Sequence, residues 1–104
     1  MTQQWKISKT ATKVYTDEFG WTRVIYHNAC VVKFNQDKII LSMGGWNTNT
    51  TRTRMNQASN QYGLGFGVHQ KKGTPYVCIG SVDTELKTSK PNIIDRKTGK
   101  VSTQ

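Results

Sequence analysis

Residues 44–57 read Gly44-Gly45-Trp46-Asn47-Thr48-Asn49-Thr50-Thr51-Arg52-Thr53-Arg54-Met55-Asn56-Gln57. The stretch reads as a glycine turn that opens into a short helix. Glycine tolerates backbone angles that other residues avoid, so Gly44-Gly45 ends the apolar run Lys38-Ile39-Ile40-Leu41-Ser42-Met43. Thr48, Asn49 or Thr50 supplies the N-cap. No Gly or Pro intervenes from Thr51 to Tyr62, and Gly63 suits the C′ position. Met55, Ala58, Ser59 and Tyr62 recur at helical spacing and give one modest buried face, with Arg52 and Asn56 on another.

On either side the chain breaks into short strand-like runs. Thr12–Thr16 and Trp21–His27 flank a turn at Asp17-Glu18-Phe19-Gly20. Along the second run Trp21, Arg23, Ile25 and His27 share one face, and Thr22, Val24 and Tyr26 the other. Ala29–Phe34 and Lys38–Met43 form a hairpin through Asn35-Gln36-Asp37. After the helix, Gly65–Gln70 and Tyr76–Gly80 pair through Lys71-Lys72-Gly73, with Pro75 at the start of its strand or on a sheet edge. Hairpins on both sides of one helix predict a single small α+β domain, an antiparallel β-sheet with one α-helix packed on it. Residues 1–11 read as an N-terminal arm or edge strand, 12–82 as the core and 83–104 as a polar basic tail. Within that tail, residues 92–101 allow a small hairpin with Lys97-Thr98-Gly99 as its turn.

The chain has 104 residues, 35% of them hydrophobic, which limits the core. Fifteen Lys and Arg against six Asp and Glu give a formal charge of +9, which fits nucleic acid or another phosphate-bearing partner. No run approaches the ~20 apolar residues of a membrane span. Met1-Thr2-Gln3-Gln4-Trp5-Lys6 lacks an apolar signal core. The expectation is a soluble cytoplasmic protein without a membrane partner. Cys30 and Cys78 read as free thiols, and two Cys with two His, widely separated, make no zinc pattern. No metal or cofactor is expected.

A helix start carries free N–H groups and partial positive charge, which suit a phosphate. Gly44 and Gly45 let a ligand approach the backbone. Thr48, Thr50 and Thr51 add donors, and Arg52 and Arg54 add bidentate forks. Trp46 offers a face for base stacking, worth roughly 1–3 kcal/mol per base. A plain capped helix with solvated arginines accounts for the same residues. The spacing fits neither a Walker A loop nor a dinucleotide fingerprint. His27 and His69 are the candidates for general acid or base chemistry, and each reads equally as a structural strand histidine.

The same stretch resembles a pattern, roughly G-G-W-x-T-x-T-T-x-x-R-M/I-N, of small, mostly uncharacterised tailed-bacteriophage proteins. Tyr26–Val32 and Val68–Gly73 are similar to its flanking segments, so the resemblance spans about residues 24–79. Ala29 stands where the pattern has Thr, and Asn47 where it has Arg. The resemblance implies a phage origin and a shared fold. It favours Arg54 over Arg52 and adds Asn56 and Gln70 to the ligand-binding candidates.

The leading expectation is a non-enzymatic phage protein in the infected bacterial cell. It binds nucleic acid, or a nucleotide immune signal captured to counter host defence. One alternative is a metal-independent phosphodiesterase or nuclease using His27 or His69. Another is an inhibitor that docks on an acidic host enzyme. A small homo-oligomer fits any of these.

Overall fold

Asp17, Asn35 and Asp95 each turn the chain back on itself by the same device, a side-chain oxygen that accepts backbone N–H bonds. Asp17 Oδ1 accepts from Phe19 N at 2.9 Å and Trp21 N at 3.1 Å. Asn35 Oδ1 accepts from Asp37 N and Lys38 N, both at 2.8 Å. Asp95 Oδ1 accepts from Lys97 N at 2.9 Å. Each turn joins two strands of one sheet, so local chemistry sets three of its hairpins.

The computed structural model describes residues 12–26, 29–43 and 49–103. Their elements run β1 (Thr12–Thr16), β2 (Thr22–Tyr26), β3 (Ala29–Phe34), β4 (Lys38–Leu41), α1 (Asn49–Tyr62), β5 (Phe66–Lys71), β6 (Thr74–Ile79), β7 (Val82–Glu85), β8 (Asn92–Asp95) and β9 (Val101–Thr103). The expected α+β architecture is present, divided into two antiparallel sheets. One has the order β1-β2-β3-β4-β8-β9, the other β5-β6-β7. Pro75 lies near the start of β6, which is the central strand of the smaller sheet.

The core lies between the sheets. Across the larger sheet, the row Val24, Val32, Leu41 and Asn92 is buried. Its neighbour Phe34–Ile39–Ile94 faces the same way, and Phe34 meets Tyr62 of the helix with ring centroids 5.0 Å apart. A register shift between Val24 and Ile25 leaves Val31 as an extra residue, a bulge that buries both Val31 and Val32. Met55, Ala58 and Ser59 form the buried helix face. The helix ends as its sequence requires: Gly63 adopts φ +63°, and Leu64 N donates to Ser59 O at 3.0 Å, closing a Schellman turn.

The expected boundary after residue 82 falls at the first residue of β7, and residues 92–103 supply two strands of the larger sheet. This stretch is built into the core. Leu86, Asn92 and Ile94 are all buried, and β8 pairs with β4 from Lys38↔Asp95 to Leu41↔Asn92. Asn92 compensates for scarce apolar residues. Its Nδ2 donates to the carbonyls of Leu41 (3.3 Å), Lys87 (2.9 Å) and Lys90 (3.2 Å), and its Oδ1 accepts from Lys87 N at 2.8 Å. The expected hairpin of residues 92–101 is β8–β9. The arm read at residues 1–11 lies outside the described residues.

Candidate functional site

The start of α1 brings together part of the set expected from sequence. Thr50 is exposed, Thr51 is buried, and Arg52 and Arg54 are half-buried. Arg54 is oriented on two sides. Its Cζ lies 5.2 Å from the ring centroid of Tyr26 on β2, and its Nη1 donates to Gln57 Oε1 at 3.0 Å. Its Nε is enclosed without a hydrogen-bond partner among the described residues. Those residues hold all six acidic side chains of the chain, and none of them pairs with Arg54. Tyr26 and Gln57 were not among the expected site residues. Gln57 stands three residues after Arg54, the ordinary spacing of a helical side-chain pair, whereas only the fold brings Tyr26 near. Gly44, Gly45, Trp46, Thr48 and His27 lie outside the described residues.

Asn56 has a different role from the one expected. Its Nδ2 donates to Val68 O at 2.9 Å and its Oδ1 accepts from Val68 N at 2.7 Å. Ser59 Oγ does the same for Phe66, accepting from its N–H at 3.1 Å and donating to its carbonyl at 2.7 Å. These two helix side chains satisfy the free edge of β5, where another strand would otherwise pair. Asn56 is therefore a structural clasp whose amide is already engaged. Moving back along α1 from Ser59 to Asn56 moves forward along β5 from Phe66 to Val68. Gln70, near the end of β5, is exposed.

His69 belongs to a second cluster, on the outer face of the smaller sheet. Its Nε2 lies 3.1 Å from Asp83 Oδ1. Lys71 Nζ donates to Asp83 Oδ2 at 2.8 Å. The His69 ring stacks on Tyr76 at 5.9 Å, inclined by 20°. Hydrogen bonds from Lys71 and then His69 hold the Asp83 carboxyl well below the usual carboxylate range. The bond to Asp83, followed by burial, pushes the Cys78 thiol up, which disfavours the thiolate that a nucleophile needs. The His69–Asp83 pair can orient an imidazole for proton transfer, but it stands on an open sheet face, with the His69 side chain 37% exposed. The period-two spacing of residues 69 and 71, 76 and 78, and 83 was a readable signal that these residues share a face.

The outer face of the larger sheet collects a third group. One row runs Tyr15–Arg23–Lys33–Ile40–Ile93–Ser102, and the next carries Lys13, Ile25 and Cys30. None of these side chains is buried. Lys33 Nζ sits 4.6 Å from the ring centroid of Trp21, and Arg23 pairs with Asp17 at 3.2 Å.

A cavity of about 140 Å3 opens between the sheets, with Ile39, Phe66, Ile79 and Ile94 in its lining. It falls short of the ~300 Å3 at which pockets for drug-sized ligands begin. Among the described residues, no group of three His, Cys, Asp or Glu side chains is placed to hold a metal ion. No helix among them is long and apolar enough to cross a membrane. No curated protein and no solved structure matches the chain. A family model described as Kyanoviridae Gp96 protein matches residues 1–97, and the chain belongs to this family of phage proteins.

Proposed function

From its membership of a phage protein family, we propose that the chain binds a phosphate-bearing ligand, nucleic acid or a nucleotide, in the cytoplasm of the infected cell. The observation that carries this reading is the uncompensated positive charge. Fifteen basic residues face six acidic ones, so nine cations have no carboxylate to match them one for one. The site that best fits a phosphate is the start of α1. There Arg54 is held by a tyrosine ring and a glutamine rather than by an acid. Thr50 and Thr51 stand in the first turn. Bound there, a nucleotide used by the host as an immune signal is withdrawn from its receptor, and a nucleic acid is gripped by its backbone.

Titration with a labelled single-stranded oligonucleotide, a duplex of equal length and a cyclic dinucleotide, each at about 50 and about 200 mM salt, tests the reading and separates the two ligand sources. Nucleic-acid binding should fall steeply with salt because phosphate contacts release counterions. Binding of a cyclic dinucleotide should change far less. Absence of binding to all three at the lower salt overturns the proposal.

The His69–Asp83 hydrogen bond favours one second reading, a metal-independent phosphodiesterase with His69 as general acid or base. Steady conversion of RNA or a cyclic nucleotide in the presence of a chelator, abolished by His69→Ala in a folded protein, is its test.

A further inference from the structure

We propose that the outer face of the six-stranded sheet is a platform for single-stranded nucleic acid. The proposal rests on the phosphate-ligand reading and names a surface and a ligand class that it leaves open. This surface lies on the opposite side of the sheet from α1. The rows through Val24–Val32–Leu41 and Phe34–Ile39–Ile94 point into the core, so the intervening residues point away from it.

Two kinds of side chain interleave there. Lys13 and Lys33 have no ion-pair partner among the described residues, whereas Arg23 pairs with Asp17 and Lys38 stands opposite Asp95 on β8. Between them lie Tyr15, 49% exposed, Trp21, and the half-buried Ile25, Ile40 and Ile93. Lysines alone suit any polyanion. Lysines among aromatic and aliphatic side chains suit a strand that offers phosphates and unpaired base faces together. A duplex keeps its base faces stacked inside, leaving the apolar part of this surface without a partner. Six strands ~4.8 Å apart make the face about 24 Å wide, room for the roughly four nucleotides at the lower end of known single-strand sites. In the free protein the Lys33 ammonium covers the Trp21 ring. A base stacked on Trp21 takes over the ring while its phosphate takes over the ammonium.

The test compares two charge-matched double variants, Lys13→Ala/Lys33→Ala on the face and Lys97→Ala/Lys100→Ala in the β8–β9 connection. The probes are an oligothymidine and a duplex of equal length, at low and moderate salt, beside melting curves. The wild type should prefer the single strand. The face variant should lose about tenfold or more in affinity for it, and the control less than about threefold. Trp21→Ala should cost about fivefold or more, and if it fails to fold, Tyr15→Ala on the edge strand reports on the same stacking. Equal losses in the two double variants, preference for the duplex, or unchanged affinity in folded Trp21→Ala or Tyr15→Ala overturns the platform. A wild type that binds a cyclic dinucleotide but no oligonucleotide overturns the platform and leaves the phosphate-ligand reading standing. A wild type that binds none of them overturns both.

Discussion

Asn56 holds Val68 by both ends of its amide, donating to the carbonyl at 2.9 Å and accepting from the N–H at 2.7 Å. A single side chain thus replaces one residue of a missing neighbouring strand and fixes α1 to β5.

Asn56→Ala removes both bonds and leaves two backbone groups of a strand edge unpaired. The expected loss is about 2–3 kcal/mol. Urea titration should show a lower midpoint at nearly constant slope. Asn56→Asp retains the acceptor but sets a carboxylate against the Val68 carbonyl, so it should destabilise as well. An unchanged midpoint in both variants shows that the clasp contributes nothing in solution.

The C-terminal strands should prove necessary for folding. Truncation after Leu86 removes β8 and β9 and bares β4, whose Ile39 and Leu41 are buried in the intact sheet. The truncated chain should lose its cooperative melting transition. Asn92→Ala leaves the backbone groups of Leu41, Lys87 and Lys90 without their shared partner and should cost on the order of 3–4 kcal/mol. A truncated chain that melts like wild type places the folded unit wholly upstream of residue 86.

Much of this architecture was legible locally. The hairpins follow from Asp17, Asn35 and the Lys72-Gly73 turn, where both residues have positive φ, and the helix end follows from Gly63. Pairing partners were not legible. The hairpin of residues 92–101 could be read locally, but its place beside β4, more than fifty residues earlier, could not. The division into two sheets was hidden for the same reason. Ser59 was legible as part of the buried helix face, whereas Asn56 looked like a ligand contact because a polar helix side chain reads identically whether it faces a ligand or a strand edge. Of the candidate site, Arg54 was visible as a cation, whereas its seat on Tyr26 required the fold.

Acid should weaken the smaller sheet through Asp83. The Lys71 and His69 hydrogen bonds lower its folded pKa beneath the unfolded value of about 3.9. Its contribution is therefore fully present above that value and is lost as pH falls toward the folded pKa. Melting temperatures of wild type and Asp83→Asn, measured between about pH 2 and pH 6, should differ by a constant gap above about pH 4 and draw together progressively below it. A gap that stays constant over this range removes Asp83 from the acid response.

Arg54 separates ligand contact from helix docking. If it grips phosphate, Arg54→Ala should weaken nucleotide binding by ten- to a hundredfold, the effect of losing a charged hydrogen-bond partner worth on the order of 1.5–3 kcal/mol. Arg54→Lys keeps the charge but loses the guanidinium's seat over the Tyr26 ring and should cost about 1 kcal/mol of stability. Unchanged affinity in folded Arg54→Ala, together with a lowered melting temperature, assigns the guanidinium to holding α1 against β2.

The insertion of β8 beside β4 has a consequence for how the protein is made. The strand that β4 needs is separated from it in the chain by the helix and the whole smaller sheet. While the chain emerges from the ribosome, β1 to β4 can pair in sequence, but the far side of β4 remains a bare edge beside Ile39 and Ile40. A newborn chain in this state offers that edge to any neighbour, including another copy of itself. Slow translation or premature termination before residue 92 therefore exposes the protein to aggregation more than any step after synthesis is complete.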